Sequence, residues 1–567
     1  MNRQLLLVAV VAIVARVGWE MQIGADQGPI GTISSHLLGD ERAYHEMALD
    51  FSEGTLQRER AFYQEPLYSW FLSKIYTLAP PPRSSEMNTP PFAPVHETII
   101  WLQHLAGVLT AVLVASLGTR IFGKGTGTLA GLFAAVSGPA IFYESMLLKS
   151  AFALLVTTAV LHLWLSLWQQ ADDSRPGNGK ALLLGVICGV GILLRGNLYL
   201  LLLAIVTTLL LSRPSQKRAL RSASLVLLGG LCALLPTTLF NTRHGDFVLT
   251  TYQSGSNAVI GQPDNEDILS SLFYTPLIPG QGDARFEETD AVSLAEAATG
   301  QSLKGSEVSS YWWGEWWERT LRRPFVTLTR MGTKALMTFH GEEIPDVKDW
   351  QFTRQAVPIL ATPLSDFSLL GPLALLGFFL LPWRGRGGSV LRISLLVGAS
   401  SLALFYVMGR YRLSAAPALW IFSAGIIYQG WRAWISGSPA QRLGLATLSL
   451  AFVLLGMTVH QGALSLRPDV RGAQAFQVSW SNYATIELAY ARTVSNPATA
   501  AEHQDRAVIA AHEAVRLAPL FPAGHATLLS CLDLRRPDLP PPDAKADLAA
   551  WRLLLVLLGQ EEGVDVS

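Results

Sequence analysis

The chain has 567 residues, of which 50% are hydrophobic and only 15% are charged, and its mean hydropathy is +0.31. Because about a quarter of the residues of a soluble domain are charged, this composition predicts a protein that crosses a membrane several times. The formal net charge is zero, and no basic run resembles a nucleic-acid-binding patch. The three cysteines have no metal-ligand spacing and imply no disulfide framework.

Apolar stretches suited to crossing a bilayer, which takes roughly 20 residues, recur along the chain and predict an all-α polytopic fold with about 11 transmembrane helices. They lie near residues 5–19, 97–118, 126–143, 147–168, 181–194, 198–212, 223–240, 366–383, 391–408, 413–430 and 441–460. The first stretch could alternatively be a cleaved signal peptide, because Arg3 precedes an apolar core with small residues near Ala15. No small-x-small cleavage site precedes Gly18, however.

Basic residues in the short loops set the predicted orientation, since such residues concentrate on the cytoplasmic side. With a cytoplasmic N-terminus, the inside loops carry Arg120, Lys124, Arg175, Lys180, Arg213, Lys217, Arg218, Arg221, Arg384, Arg386, Arg392, Arg432 and Arg442. Residues 20–96, residues 241–365 and the chain from about 461 onward are then extracytoplasmic, on a multi-pass protein of the cell (inner) membrane. Residues 1–460 form the predicted membrane domain, and residues 461–567 form a separate helical region.

The first outside loop contains GDERAYHEMALDFSEG, in which Asp40 and Glu41 stand side by side ahead of a helical pattern. Neighbouring carboxylates tend to raise each other's pKa, which helps one of them act as a base. The alternative is a solvated pair that caps the helix. Nucleotide sugars are not expected outside the cytoplasm, so a transferase there needs a donor that is carried through the membrane on a lipid.

Several basic residues lie at the predicted outer boundary of the membrane, although basic residues generally concentrate on the cytoplasmic side. They are Arg195 in LLRGNLY, Lys149 after YESMLL, and Arg410 and Arg412 in VMGRYRLSAAP. Each could bind a lipid headgroup by snorkelling. Their coincidence at one boundary instead favours a site for the phosphate of a polyprenyl carrier, which arginine can bind bidentately.

Other parts of the outside loops have helical or strand-like patterns. The segment EPLYSWFLSKIYTLA predicts an amphipathic interfacial helix with Leu67, Trp70, Phe71, Lys74 and Ile75 on one face. In the second loop, alternation over residues 248–252 predicts a short strand.

Two further features of the second loop each allow two interpretations. Trp312, Trp313, Trp316 and Trp317 share a helix face, which predicts an aromatic membrane belt rather than a sugar platform. Glu342 and Glu343 form a second acidic pair, for which solvation is favoured over metal binding.

The C-terminal region has a soluble, helical composition. Residues 505–534 match the second half of a tetratricopeptide unit, with small residues at Ala507, Ala511, Ala514 and Ala518 on one face. Such repeats need about three units to be stable, and fewer than two are present here. We therefore expect a degenerate helical hairpin docked on the membrane domain.

Taken in order, four motifs resemble those of the GT-C superfamily of membrane glycosyltransferases, particularly bacterial proteins similar to dolichyl-phosphate-mannose protein mannosyltransferases and lipid A aminoarabinose transferases. They are GDERAYHEMA, YQEPLYSWFLSKIY, GDFVLTTYQSGSNAVIGQ and GRYRLSAAPAL, and the resemblance covers roughly residues 1–430. It implies a multi-pass helical enzyme that transfers a sugar from a polyprenyl-phosphate donor to an extracytoplasmic protein, lipid or glycan.

The resemblance also implies roles for individual residues. Asp40, with Glu41 beside it, takes the place of the catalytic acidic residue, which acts as a general base or orients the acceptor. Several relatives carry a lysine where this chain has Glu65. The absence of that lysine shifts the binding of the donor phosphate to other cations. Residues implied in binding the donor phosphate are Arg195, Arg410, Arg412 and Lys149. Residues implied in the acceptor pocket are Tyr44, His45, Glu65, Tyr68, Glu342 and Glu343.

Some family members use a divalent metal, for which Asp40 and Glu41 would be the oxygen ligands. Two other functions are compatible with a polytopic chain. A transporter should carry charged residues near the membrane midplane. The only titratable residues well inside the predicted spans are His104 and His162. A non-enzymatic scaffold built around the C-terminal region should tolerate Asp40→Ala.

Overall fold

The structure is a computed structural model of the chain. It describes residues 3–56, 58–82, 91–169, 177–211, 215–278, 284–346, 348–360, 362, 364–382, 385–440, 442, 444, 446–447, 468–517 and 522–533. Over these residues every regular element is a helix and no strand is present. The predicted all-α fold class is therefore confirmed.

The helices divide into an apolar bundle, shorter helices in the two long loops, and a C-terminal group. In chain order they are α1 (Arg3–Ala25), α2 (Pro29–Ser34), α3 (Asp40–Glu53), α4 (Leu67–Tyr76), α5 (Pro94–Phe122), α6 (Lys124–Ala135), α7 (Gly138–Glu144), α8 (Ser150–Gln169), α9 (Asn178–Leu194), α10 (Leu198–Leu211), α11 (Gln216–Arg243), α12 (Ser254–Ile260), α13 (Glu287–Thr299), α14 (Gly305–Arg322), α15 (Pro324–Leu336), α16 (Trp350–Thr353), α17 (Phe367–Leu380), α18 (Arg386–Leu404), α19 (Gly409–Arg412), α20 (Ala416–Ser436), α21 (Pro468–Thr493), α22 (Pro497–Leu517) and α23 (Pro522–Asp533).

The bundle contains helices that are long and apolar enough to cross a membrane. Among the described residues these are α1, α5, α8, α11 and α18, and the pair α6 and α7, bent by 49°, would make a sixth. Helices α9, α10 and α17 are apolar but shorter. The chain is thus a multi-pass membrane protein, while the number of about 11 spans stays a prediction. The predicted span at 441–460 lies mostly outside the described residues.

Close helix packing in the bundle depends on glycine. At Gly185 of α9 an added Cβ atom would collide with the Val226 carbonyl oxygen, and at Gly229 of α11 it would collide with that of Leu182. The backbones of α9 and α11 therefore approach each other directly. Small residues allow this approach in membranes, where dispersion contacts rather than hydrophobic burial hold helices together.

Residues 248–252 do not form the predicted strand. The Asn241 side chain, at the end of α11, donates hydrogen bonds to the carbonyl oxygens of Val248 (2.9 Å) and Thr250 (2.8 Å), and Thr238 donates to that of Leu249 (2.8 Å). Side chains of one helix thus satisfy the carbonyl groups that a neighbouring strand would otherwise bind. The prediction was wrong because alternation also fits an extended segment lying along a helix.

Helix α4 forms where an amphipathic helix was predicted, and it packs against the bundle over more than the predicted face. Tyr68, Leu72 and Tyr76 are buried in the core, whereas Trp70 remains 48% exposed. The side chains of the predicted face that also pack against this core, partly buried, are Leu67, Phe71 and Ile75. The place of the helix at the membrane interface stays a prediction.

The tryptophan-rich helix α14 also differs from expectation. Trp312 and Trp316 are buried in a core formed within the two long loops, and the Trp312 indole nitrogen donates to the Ala291 carbonyl oxygen at 3.0 Å. The aromatic-belt prediction was wrong for these two residues. Trp317 is 56% exposed and packs edge-to-face on the Trp316 ring.

The C-terminal helices α21 to α23 pack on one another and on the first long loop. The His36 and Tyr490 side chains are hydrogen-bonded at 2.8 Å, and Phe352 contacts the rings of Phe476 and Trp480. The C-terminal group therefore lies at the end of the bundle that carries both long loops, which we term the loop side. Its tetratricopeptide-like character stays a prediction.

Candidate active site

Asp40 opens helix α3 on the loop side of the bundle. Gly39 precedes it with a φ of +50°, a conformation that favours glycine, and turns the chain into the helix. The Asp40 carboxylate pairs with the Arg410 guanidinium at 2.6 Å, and Arg410 also contacts Asp346 at 3.0 Å. The first loop, the second loop and α19 therefore meet at one buried arginine.

Glu41 points to different partners, although it follows Asp40 directly. Its fully buried carboxylate pairs with Lys348 at 2.8 Å and accepts hydrogen bonds from the backbone amides of Leu147 (3.0 Å) and Leu38 (3.3 Å). Burial raises the pKa of Glu41, and the Lys348 ammonium opposes this shift. The acidic pair is thus divided between two ion pairs, and the expectation that its members raise each other's pKa is not supported.

Arg195 lies at the turn between α9 and α10, close to Arg410. Its guanidinium donates to the Ser150 hydroxyl at 2.9 Å and lies 5.0 Å from the Tyr411 ring centroid. Among the described residues it has no carboxylate partner, although it is buried. Arg195 and Arg410 line one cavity, whose other lining residues are Ser150, Ala153, Leu154, Thr157, Asn197, Leu198, Leu413 and Ser414.

Glu65 and Lys149 connect the surrounding segments. The Glu65 carboxylate pairs with Lys149 at 2.5 Å and accepts hydrogen bonds from the Gly196 amide (2.9 Å) and the Gln253 side chain (3.2 Å). Burial raises the pKa of Glu65, but Lys149 and backbone amides outweigh burial and lower it overall. An ionised Glu65 thus fixes the turn that carries Arg195.

The aromatic residues predicted in the acceptor pocket separate into two groups. Tyr44 faces the charged cluster, with its ring centroid 5.2 Å from the Lys149 ammonium. Tyr68 packs edge-to-face on Tyr44 and donates to the Gln103 side chain at 2.7 Å. The His45 ring is hydrogen-bonded to the Tyr76 hydroxyl at 2.9 Å, away from Arg410.

Arg412 forms a second, closed ion pair. Its guanidinium pairs with Glu343, donates to the carbonyl oxygen of His340 and stacks 4.4 Å from the Phe367 ring centroid. The prediction that Glu343 is solvated was wrong, because its side chain is buried against this guanidinium. Glu342 is partly buried, and one of its carboxylate oxygens has no hydrogen-bond partner.

Several charged residues of the site were not predicted from the sequence. Asp346 and Lys348 follow Glu343 closely in the chain. The run of charged residues in this loop was the one sequence feature that could have indicated their place in the site. Glu287 opens α13, where an acidic residue is usually only a helix cap. Burial and then Asp40 raise the pKa of Glu287 to about 8, although a hydrogen bond with Tyr274 opposes the shift.

A further charged cluster lies within the bundle. Arg16 of α1 pairs with Glu144 of α7 through two contacts of 2.7 Å, and His104 lies 3.0 Å from Glu144 and 2.8 Å from Glu20. Arg16 lies near the middle of α1, which can cross a membrane, so the prediction that His104 and His162 are the only titratable residues well inside the spans was wrong. The predicted first span, residues 5–19, placed Arg16 near its end, whereas α1 continues to Ala25.

Metal binding was left open by the sequence. Within the described ranges, no group of three or more histidine, cysteine, aspartate or glutamate residues is arranged to hold an ion. Asp40 and Glu41 are each engaged by a cation instead.

Comparison with known proteins gives one family match. The family described as dolichyl-phosphate-mannose-protein mannosyltransferase matches residues 92–240, which include α5 to α10 and most of α11. The sequence matches none of the curated proteins compared with it.

Comparison with solved structures gives matches of low similarity. The archaeal oligosaccharyltransferase AglB from Archaeoglobus fulgidus is 14% identical with a TM-score of 0.45, over 88% of this chain and 59% of AglB. ArnT from Cupriavidus metallidurans, bound to undecaprenyl phosphate, is 14% identical with a TM-score of 0.40, over 92% of this chain and 77% of ArnT. This chain thus spans little more than half the length of AglB. The family match supports the resemblance of residues 92–240 to dolichyl-phosphate-mannose-protein mannosyltransferases, the group that the sequence motifs indicate.

Proposed function

We propose that the chain transfers a sugar from a polyprenyl-phosphate donor to a hydroxyl or amine of an acceptor outside the cytoplasm. One observation carries the proposal. Arg410 lies between a carboxylate, Asp40, and a second buried guanidinium, Arg195, that lacks a carboxylate partner among the described residues. A base and a cationic site for a leaving phosphate are thereby brought together.

The chemistry needs both groups. The acceptor oxygen or nitrogen forms a bond to the anomeric carbon while the bond from that carbon to the phosphate oxygen breaks. Asp40 accepts the acceptor proton, and the polyprenyl phosphate leaves with the bonding electron pair. A positioned base contributes about 10²–10⁴ in rate, and fixed cations stabilise the charge that develops on the phosphate.

The lining of the cavity is mixed, which suits the chemistry of the donor's phosphate and the start of its hydrocarbon chain. Arg195, Arg410 and Asn197 supply polar groups, while Leu154 and Leu198 belong to apolar helices of the bundle. A lipid phosphate combines an anionic head with a hydrocarbon tail, so both kinds of lining are required. Arg195 retains unused hydrogen-bond donors for the phosphate, and guanidinium groups can bind phosphate bidentately.

The remaining predicted site residues have positioning roles in this proposal. Glu65 and Lys149 hold the Arg195 turn, and Glu41 with Lys348 anchors the start of α3. Arg412 and Glu343 fix α19 to the second loop. None of these three ion pairs has to contact the sugar.

A genetic experiment tests the proposal. Lipid-linked sugars and the glycans of protein, lipid and cell-wall fractions are compared between wild type and a deletion strain. We expect one lipid-linked sugar to accumulate and one fraction to lose that sugar, which identifies the acceptor. The Asp40→Asn variant, expressed in the deletion strain, should fail to restore the wild-type profile although normal amounts of the protein are present in the membrane.

Glu46→Gln is the matched control, since Glu46 lies on α3 and its exposed carboxylate pairs with Arg42 of the same helix rather than with the cluster around Arg410. It should restore the wild-type profile. Full restoration by Asp40→Asn as well would exclude Asp40 as the base. A deletion strain with unchanged glycans and lipid-linked sugars would contradict the transferase function itself.

A further inference from the structure

Helix α15, in the second long loop, has a reversed distribution of polar and apolar side chains. Its exposed large side chains are apolar: Phe325 is 83% exposed, Leu328 65% and Leu336 52%, and Leu321 just before the helix is 74% exposed. Its only charged residues, Arg330 and Lys334, are both 1% exposed. A helix on a water-facing surface has the opposite arrangement.

Both cations bond to carbonyl groups inside the protein. The Arg330 guanidinium donates to the carbonyl oxygens of Pro263 (2.8 Å) and Asp267 (2.9 Å), and to Asn265. The Lys334 ammonium donates to the carbonyl oxygens of Gly261 (3.0 Å) and Phe405 (2.8 Å). The Arg330 Nε has no hydrogen-bond partner among the described residues, but it is buried, so neither cation points toward solvent.

The hydroxyl groups of the helix are likewise satisfied internally. The hydroxyls of Thr329 and Thr333 donate to the carbonyl oxygens of Phe325 (2.8 Å) and Thr329 (2.9 Å), one turn earlier. Thr327 is buried and accepts a hydrogen bond from the Gln262 side chain. The outer face of α15 therefore presents no polar group that requires an aqueous partner, which is the condition for contact with lipid.

The position of α15 also matches lipid rather than water. It packs along α18, one of the helices that can cross a membrane, and Lys334 reaches the Phe405 carbonyl oxygen directly after α18. On α18 itself Leu396 is 54% exposed, as expected of a lipid-facing side chain. Helix α15 therefore lies beside a helix of the bundle that itself exposes an apolar side chain.

We propose that α15 is embedded in the loop-side leaflet of the bilayer, with Phe325, Leu328 and Leu336 among its acyl chains. The second long loop then does not lie wholly outside the membrane. The occupant of this face is bilayer lipid, not a protein partner. Because Arg412 bonds to the carbonyl oxygen of His340, just beyond the C-terminal end of α15, the embedded helix also fixes the depth of the segment that carries Glu343 and Asp346.

Spin labels on the full-length chain in phospholipid nanodiscs test this placement. The three cysteines, Cys188, Cys232 and Cys531, are first replaced by alanine, and single cysteines are then introduced as Phe325→Cys or Leu328→Cys. Glu318→Cys is the matched control, because the Glu318 side chain is 63% exposed on the adjacent helix α14. Each nitroxide is measured for collision with oxygen, which concentrates in the bilayer, and with a nickel chelate, which stays in water.

We expect the labels at 325 and 328 to collide with oxygen more, and with nickel several-fold less, than the label at 318. Nickel collision equal to that at 318 would show that the face is in water and would overturn the proposal. An immobilised label that neither reagent reaches would show a protein partner and would also overturn it. Leu336→Cys repeats the measurement at the other end of the helix if either variant elutes as aggregate.

Discussion

Two buried charge clusters of this protein use arginine in different ways. In the bundle, Arg16 forms two contacts of 2.7 Å with Glu144 and donates to the carbonyl oxygens of Ala12 (3.0 Å) and Ala135 (3.2 Å). On the loop side, the Ser150 hydroxyl is the one hydrogen-bond acceptor that Arg195 reaches within the described part of the chain, and its guanidinium lies over the Tyr411 ring.

The difference indicates which cluster is structural. Arg16 has a carboxylate and two carbonyl oxygens around it, so it has no capacity for a ligand. A buried guanidinium without a counter-ion is costly, and such a cost is expected where a bound anion will supply the missing charge. Charge burial alone therefore does not mark the site, but incomplete charge pairing beside a cavity does.

Among substitutions on the loop side, removing the base Asp40 should have the largest effect on activity. Asp40→Asn retains the shape of the side chain but cannot accept the acceptor proton. We expect the rate at which membranes consume the lipid-linked sugar to fall by about 10²–10⁴. The thermal unfolding temperature of the purified protein should change little, and a large decrease would instead assign Asp40 a structural role.

Breaking the charged cluster of Arg16 and Glu144 in the bundle should instead lower the stability of the protein. Arg16→Met leaves Glu144 as a buried carboxylate without its guanidinium, and we expect a loss of about 3–5 kcal/mol in unfolding free energy. Denaturant unfolding in detergent micelles measures this loss. The double variant Arg16→Met with Glu144→Leu removes both charges and should recover much of the stability. If the double variant is no more stable than the single one, the pair is not the source of the effect.

Arg195→Gln addresses the incompletely paired guanidinium. It removes a charge-assisted contact worth about 1.5–3 kcal/mol, so the Kd for undecaprenyl phosphate should rise by about 10–100-fold. Binding to the purified protein in nanodiscs is measured by native mass spectrometry. Arg42→Gln is the control, because Arg42 pairs with Glu46 on α3 and should leave the Kd unchanged. An equal Kd for wild type and Arg195→Gln would place the phosphate elsewhere.

Part of the fold and of the candidate site could be predicted from local sequence. Runs of apolar residues predicted the bundle helices, since burial in lipid depends on each segment's own composition. Asp40 and Arg410 were predicted from their motifs, and the structure brings their side chains together at 2.6 Å. Their pairing itself connects residues far apart in the chain and has no local signature.

Other features depended on tertiary contacts. Glu343 was predicted to be solvated because an acidic pair in a loop usually is, yet Arg412 from another segment buries it. Lys348 takes Glu41 out of the acidic pair in the same way. Arg330 and Lys334 are buried in the same way, because carbonyl groups of residues 261–267 and 405 accept their hydrogen bonds.

The smallest expected effect concerns the pH dependence of stability at the loop-side cluster. Burial and Asp40 raise the pKa of Glu287 from its usual 4.5 to about 8, so the folded protein holds a proton that the unfolded chain releases between these values. Stability falls with rising pH wherever the folded state binds more protons. Glu287 therefore destabilises the fold progressively as pH rises through this window.

Glu287→Gln cannot ionise and retains a group that can hydrogen-bond to Tyr274. Thermal unfolding of the variant and of wild type, compared from about pH 5 to about pH 9, should show the variant gaining stability relative to wild type up to about pH 8 and no further gain above it. Glu46→Gln, on the exposed face of α3, should show no such trend. A constant difference between Glu287→Gln and wild type at all pH values would mean that Glu287 is ionised throughout. In that case the loop-side cluster would hold a third negative charge. Arg410 would then have to balance Glu287 in addition to Asp40 and Asp346.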